Sequence, residues 1–321
     1  MQNSSIFLLS ISKIANFARN KGFVSRSKTA EELVESVIRY LSKSDIAVLF
    51  EVCKNTAELV QRLSISIIDI YDINYPELLK QIADPPLLLF YKGEKALFQM
   101  EKISVVGTRK PSKLSVFATQ KIPELFSKDN QIAIVSGLAA GIDREVMLSS
   151  LEKNIPTIGI LGTGIGFEYP FSNKDLYGKI KESQKTLLIS EMRPDEKFGK
   201  WSFPRRNRII TGLSKLLIVM EAPLKSGAIS SARNALDQNR EILVFDNESL
   251  FYNEGGRKLI SDGAKHLTLD EILNKAKSIS HISEYLSGSF KDIPKILSKL
   301  GMLEREGILK DMGGGYYLSL R

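Results

Sequence analysis

The 321-residue chain reads as an α/β protein: a doubly wound, mostly parallel sheet, preceded by a helical N-terminal domain and followed by a small C-terminal domain. Three observations predict this. Between 101 and about 275, short Val/Ile/Leu runs recur, each followed by a polar or Gly-rich turn and then by helix-forming sequence. Continuous apolar runs suit strands buried on both faces, and their alternation with helices implies a parallel sheet wrapped on two sides. Residues 1–70 carry helical periodicity alone, and residues 279–321 carry an amphipathic stretch followed by a Gly-rich hairpin pattern. The expected domains are therefore 1–70, 71–278 and 279–321.

Within the first domain, Leu33, Val34, Val37, Ile38 and Leu41 fall on one face of a helix over Ala30 to Leu41. Ile46, Leu49, Phe50, Ala57, Leu59 and Val60 repeat the pattern over Asp45 to Leu63. Such a module packs its own core, and no motif in it suggests chemistry. Tyr75-Pro76, Asp84-Pro85-Pro86 and Gly93 then punctuate 71–95 around an apolar run, Leu87 to Tyr91, which reads as an extended lead-in. The strands of the central domain are placed at Ile103–Val106, Ile132–Val135, Thr157–Leu161, Thr186–Ile189, Leu216–Met220 and Ile242–Phe245. In the tail, Ile293, Ile296, Leu297, Leu300 and Leu303 line one side of a helix over Asp292 to Glu306. Ile308–Leu309 and Tyr316–Leu320, joined through Gly313-Gly314-Gly315, complete a winged-helix pattern.

Composition narrows the chemistry. The formal net charge is +8 and the pI about 9.3, a balance that favours polyanionic partners. Cys53 is the only cysteine, so no intramolecular disulfide forms and a reducing, cytoplasmic compartment fits. With one cysteine and two histidines, His266 and His281, no ordinary structural zinc site is assembled. Neither a metal nor a cofactor is expected. The apolar run Ile6 to Leu9 lacks a preceding basic region and reads as no signal peptide. No stretch approaches the roughly 20 apolar residues of a membrane helix, so no membrane partner is expected.

In open α/β sheets ligands sit at the carboxyl ends of the strands. There the chain places Gly107-Thr108-Arg109, then Ser136-Gly137 running on to Gly141-Ile142-Asp143, then Gly162-Thr163-Gly164-Ile165-Gly166. Glu191, Lys197 and Lys200 follow the fourth strand, and Glu221 with Lys225-Ser226-Gly227-Ala228 follow the fifth. One glycine turn is commonly no more than a tight βα connection. Several on one edge let backbone approach an anion closely, with free N–H groups at helix starts as donors. Arg109, Lys200, Arg206 and Arg208 add charge to that ledge.

Gly162-x-Gly-x-Gly166 is not the dinucleotide fingerprint, because Glu168 and Pro170 follow instead of a helix start. No P-loop motif exists, so nucleotide hydrolysis is unsupported. No histidine before His266 offers a general base. Ser136 and Ser226 read as turn or cap hydroxyls, Asp143 as a helix cap, and Glu191 as a partner for basic neighbours. No catalytic residue is therefore assigned. The sharpest feature is Lys197 to Arg208, where five cations surround Trp201 and Phe203. Cations beside a ring that stacks on bases suit single-stranded nucleic acid.

These motifs resemble the DNA-processing protein A (DprA/Smf) family. The resemblance rests on Val105 to Arg109, Val135 to Asp143, Gly162-Thr163-Gly164 with Tyr169-Pro170 and Asn173, and Ser190-Glu191. The most specific stretch runs from Phe203-Pro204-Arg205-Arg206-Asn207-Arg208 to Ser214, followed by Glu221-Ala222 and Ser226-Gly227. The resemblance implies a Rossmann-like domain that binds and protects incoming single-stranded DNA. It further implies that the protein helps load the RecA recombinase in natural transformation and forms a homodimer. Carried over by motif, Arg109 and Lys200 hold phosphates, Phe203 stacks on a base, and Arg206, Asn207 and Arg208 build or line the pocket. Gly107, Thr108, Ser136, Gly137, Gly162, Gly164, Ser226 and Gly227 complete the DNA-binding set, the last two and Gly137 through backbone amides. Val146-Met147 and Asp246-Asn247 depart from the family pattern, which marks a divergent member.

Two other readings remain open on the sequence. One is a Rossmann-like nucleotide enzyme of the phosphoribohydrolase kind, although the Pro-Gly-Gly-x-Gly-Thr-x-x-Glu motif of those enzymes is absent. The other is a winged-helix regulator of duplex DNA, for which Asp292 to Gly301 offers only Lys295 and Lys299 to a groove.

Overall fold

A computed structural model of the chain describes residues 2–126, 132–199, 201–273, 279–281, 301–302, 304–305, 309–313 and 316–319. The N-terminal part is helical: a 3-10 segment at Gln2–Ser10, then Ser12–Asn20 (α1), Phe23–Arg26 (α2), Ala30–Ile38 (α3) and Lys43–Arg62 (α4). Helix α3 starts on Thr29, whose side chain accepts from the Glu32 amide at 3.2 Å, while Glu32 Oε2 accepts from the Lys28 amide at 2.8 Å. The cap satisfies one donor that the first turn leaves open, and Glu32 ties down the residue that precedes it.

Ser66–Asp69 (β1) and Leu88–Gly93 (β2) flank the short helix Glu77–Lys80 (α5). Then strands and helices alternate: Glu101–Val106 (β3), Lys113–Phe126 (α6), Ile132–Ser136 (β4), Ile142–Glu152 (α7), Thr157–Ile160 (β5), Lys174–Glu182 (α8) and Thr186–Ser190 (β6). Ser202–Gly212 (α9), Leu216–Val219 (β7), Gly227–Asp237 (α10), Glu241–Phe245 (β8), Glu254–Ser261 (α11), Lys265–Leu267 (β9) and Leu269–Leu273 (α12) follow. The sheet order is β1-β2-β6-β5-β4-β3-β7-β8-β9. Strands β3 to β9 run parallel, with Ser104 opposite Val135 on one side and Val106 opposite Val219 on the other. The winding direction reverses between β3 and β7, the switch point where an open sheet leaves a crevice. Helix α6 packs on α7, and α9 on α10.

All six strands read from the sequence are present in this sheet, and β1, β2 and β9 extend it. Residues 71–95 are more than a lead-in: β2 pairs antiparallel with β6, Phe90 facing Ser190, and with β1, Ile68 facing Leu89. The physical reason is burial. Leu88, Leu89 and Phe90 are fully buried, each worth about 1.5–3 kcal/mol of apolar transfer, and backbone groups buried with them need ladder partners.

The N-terminal helices share one continuous apolar cluster with the sheet. The run Phe7-Leu8-Leu9 lies within that cluster, the Phe7 ring stacked on Phe90 at 6.1 Å. Along α4, Cys53 and Thr56 are the buried residues, while Leu49, Ala57 and Val60 are half-buried. Among the described residues, no helix is long and apolar enough to cross a membrane.

The tail forms a small antiparallel sheet, Ile279–His281 (β10), Tyr316–Ser319 (β12) and Leu309–Gly313 (β11), in the order β10-β12-β11. The expected hairpin is thus present as the β11–β12 pair. Lys295, Lys299 and most of the helix read over 292–306 lie outside the described residues.

Candidate nucleic-acid interface

A cavity of about 670 Å³ opens at the switch point, where the carboxyl ends of β3 and β7 diverge. The turn after β3 supplies one wall. Its Thr108 amide donates to the Glu221 carbonyl at 2.7 Å, and the Thr108 carbonyl accepts from the Ile142 amide at 3.1 Å. Thr108 Oγ1 accepts from the Lys110 amide at 3.2 Å. Glu221, itself buried, accepts from the Ser112 amide at 2.8 Å through Oε2. A turn pinned at both ends presents the exposed side chains of Arg109 and Lys110 to the cavity.

The opposite wall is the start of α10. Ser226 caps it, Oγ accepting from the Ile229 amide at 3.4 Å, and Asn207 Nδ2 holds the Gly227 carbonyl at 3.3 Å. Gly227 is exposed, with nothing within 4 Å of where a Cβ would stand. The first amides of this eleven-residue helix therefore meet the cavity beside Lys225, an arrangement with the partial positive charge and open donors that an anion needs.

The floor is built around Arg206, 6% exposed on α9. Its guanidinium donates to the carbonyls of Gly137 and Ile160, joining the ends of β4 and β5. A Cβ at 137 would meet that guanidinium at 2.6 Å, so the glycine there makes room for an arginine. The Gly137 amide is engaged by Asp143 Oδ2 at 3.1 Å and offers no donor to a ligand, contrary to the role expected of it. Burial pushes the Asp143 carboxyl up, opposed by the charge of Arg206 and by the amides of Ala139 and Gly137. Burial likewise pulls the Arg206 guanidinium down, opposed by Asp143 and Tyr177.

Phe203 stands half-buried at the mouth. Its ring packs against Gly162, where a Cβ would approach Cδ1 to 2.5 Å. Tyr169 and Phe198 lie 5.5 Å from it, centroid to centroid, and the guanidinium carbons of Arg109 and Arg206 each lie 5.9 Å from the ring. A second cavity, about 60 Å³, opens on the Tyr169 side and shares Arg109, Ala139, Phe203 and Arg206 with the first. Phe203 and Arg109 thus line both.

Other expected residues turn elsewhere. Ser136 is fully buried and donates to the Val105 carbonyl at 2.8 Å. Gly164 packs on the backbone of Arg193 and Pro194. Arg208 does not line the cavity: its Nη2 makes two 2.7 Å bonds to Glu191, and its Nε lies 3.2 Å from Asp84. Lys200 lies outside the described residues.

The family model for DNA recombination-mediator protein A matches residues 66–277. The chain belongs to this family. Among DprA relatives, the DNA processing protein of Streptococcus pneumoniae is 38% identical over 200 residues, covering 62% of this chain and 70% of that protein. The Bacillus subtilis protein is 39% identical over 204 residues, covering 63% and 67%. The X-ray structure of S. pneumoniae DprA superposes with a TM-score of 0.62 at 29% identity, covering 85% of this chain and 94% of that one. Helicobacter pylori DprA, solved for its single-stranded DNA binding mode, gives a TM-score of 0.58 at 30% identity over 65% and 93%. The family match takes in the sheet and every residue around the two cavities, since all of them fall within 66–277. Lys110 and Tyr252, which also line the larger cavity, carry no sequence signal beyond their types; Lys225 stood in a Gly-rich turn and was legible as such.

Proposed function

We propose that this chain is a single-stranded DNA-binding recombination mediator whose strand crosses the switch-point cavity. Arg109, Lys110 and Lys225 neutralise successive phosphates, and the open amides at the start of α10 donate to a further phosphate oxygen. Phe203 presents its ring to a base. Arg206 and Asn207 act from below, Arg206 by fixing the ends of β4 and β5 and Asn207 by holding α10. Arg208 acts from the far side of α9, and Lys200 adds charge to the loop before it. The observation that carries this reading is the contact between Arg109 and Phe203 at the common mouth of both cavities. A cation beside a stacking ring matches the alternation of phosphate and base along an unpaired strand.

In this reading the protein is a binding protein and not an enzyme. It acts in the cytoplasm as a homodimer, protects incoming single strands in natural transformation and hands them to the RecA recombinase. Family membership and the S. pneumoniae and H. pylori relatives support it. The DNA-binding domain, expected over 71–278, begins earlier, with β1 at Ser66 inside the expected 1–70 domain, and 279–321 form a winged-helix domain dispensable for strand binding.

The test is binding of the full chain to matched single-stranded and blunt duplex oligonucleotides at one salt concentration. Tighter binding to the single strand is the expected result. Equal or tighter binding to the duplex would contradict the proposal.

A further inference from the structure

Across the cavity from Phe203 lies the loop between β8 and α11, and it presents two aromatic side chains to solvent. Phe251 is 82% exposed and Tyr252 71%. Exposed aromatics are ordinary one at a time, but here they sit between two buried anchors. Leu250 is 1% exposed, and Asn253 is fully buried. Asn253 Oδ1 accepts from the Ala222 amide at 2.8 Å, and its Nδ2 donates to the Phe245 carbonyl at 3.0 Å and to Asp246 Oδ1 at 2.7 Å. Arg257 braces the same loop, with Nε 3.2 Å from Asp246 and Nη2 donating to the Leu250 carbonyl. The Gly256 amide closes the frame on the Ala222 carbonyl at 3.2 Å.

The loop is thus stapled to the end of β7 and the end of β8, and the side chains that escape the staple are aromatic. Tyr252 lines the same cavity as Arg109, Lys110, Lys225 and Phe203. A tyrosine ring exposed in water beside cations has a π-face on which any base can stack, without sequence preference. Apolar packing does not account for it, because no neighbour covers it.

We propose that Tyr252 is a second base-stacking residue, so that the strand runs from Phe203 across the switch point to the β8–α11 loop, its intervening phosphates held by Arg109, Lys110 and Lys225. This rests on the strand-binding reading above and adds to it a path and an end point. The strand is held by an aromatic ring at each end with the three cations between them, and the β8–α11 loop becomes part of the interface.

The experiment measures binding of oligo(dT) across a salt series by full-length wild type, Tyr252→Ala, Tyr252→Trp and Arg109→Ala, with folding of each checked by thermal melt. Tyr252→Ala is expected to lose affinity by roughly 5- to 150-fold, the range for one stacked base, with an unchanged salt slope. Tyr252→Trp is expected to restore binding, because it keeps a π-face and discards the hydroxyl. Wild-type affinity in Tyr252→Ala alongside weakened Arg109→Ala would overturn the proposal and leave the strand-binding reading standing. Unchanged affinity in both variants would remove that reading as well. A Tyr252→Ala variant that binds DNA normally but sediments differently from wild type would overturn the proposal too, and would assign the loop to contacts between copies. Failure of Tyr252→Trp to restore binding would also overturn it, by placing the effect in the hydroxyl.

Discussion

The guanidinium of Arg206 occupies the space in front of Gly137, close enough that an ideal Cβ at 137 would stand 2.6 Å from Nη1. The arginine is therefore a structural element of the interface. It closes the ends of two strands through their carbonyls, in a place where only 6% of it is exposed.

Substitution at either partner is expected to cost stability before it costs binding. Arg206→Ala strips two buried carbonyls and leaves the Asp143 carboxyl without its compensating charge. Removing one side of such a buried arrangement costs about 3–5 kcal/mol. Gly137→Ala overpacks the same spot, and overpacking costs about 1–3 kcal/mol. Urea unfolding of each variant measures both values; wild-type stability in Arg206→Ala would show that the arginine is not structural, and wild-type stability in Gly137→Ala that it is free to move aside.

Gly162→Ala separates binding from stability. The added methyl meets the Phe203 ring edge, which is half-buried and able to rotate out, so the fold is expected to survive with the ring displaced. Oligo(dT) affinity should fall toward that of Phe203→Ala, and the two changes combined should cost little more than either alone. Full additivity in the double variant would mean that the two positions act independently.

Glu191 gathers the far side of α9. It accepts from Arg208 at 2.7 Å and from Arg205 at 3.1 Å, while Asp84 bridges Arg208 to Arg19 of α1, 2.7 Å away. Glu191 and Arg208 are 12% and 11% exposed, so Glu191→Ala leaves a largely desolvated arginine and is expected to cost about 3 kcal/mol. Because this cluster faces away from the cavity, the salt slope of binding by folded Glu191→Ala should match wild type. A flattened slope would place Arg208 on the strand.

Acid stability has a well-defined contributor outside the site. Arg144 holds the Asp175 carboxyl at about 2 by its paired hydrogen bonds, against an ordinary 3.8. A depressed carboxylate stabilises the fold above its unfolded value and loses that contribution as pH falls through the folded one. Melting temperature against pH should therefore fall more steeply for wild type than for Arg144→Met between 3.8 and about 2. Parallel curves would show that the pair contributes nothing.

The parallel strands were legible because they are buried on both faces and so cannot alternate: Ile132 to Val135 and Leu216 to Val219 are apolar without a break. Strand β2 is as apolar, but prolines on its N-terminal side made Leu87 to Tyr91 look like a connection. An antiparallel edge added to a parallel sheet leaves no crossover helix to announce it. At the site, the positions of Arg109, Phe203 and Ser226 followed from the rule that ligands meet strand ends, whereas side-chain direction did not. Arg206 and Arg208 are two residues apart on α9, about 200° around a helix of 3.6 residues per turn. They must point to opposite sides, and only Arg206 meets the cavity. Arg205 and Arg208, three apart, share a face, and both reach Glu191. Tyr252 was illegible because its place at the cavity depends on Asn253 folding the loop against β7 and β8, a contact across 31 residues of sequence.

The most direct measurement is oligo(dT) affinity across a salt series for wild type, Arg109→Ala, Phe203→Ala and Lys215→Ala, with each variant shown to be folded. Lys215 is the charge-matched control: it sits at the opposite end of the sheet, paired with Glu101 at 3.3 Å. Arg109→Ala should weaken binding and reduce the log–log salt slope by about 0.7, the value for one phosphate contact on a single strand. Phe203→Ala should weaken binding by about 1–3 kcal/mol at an unchanged slope, and Lys215→Ala should change neither. If Lys215→Ala weakens binding as much as Arg109→Ala does, the protein is responding to its overall positive charge, and the cavity is not where the strand binds.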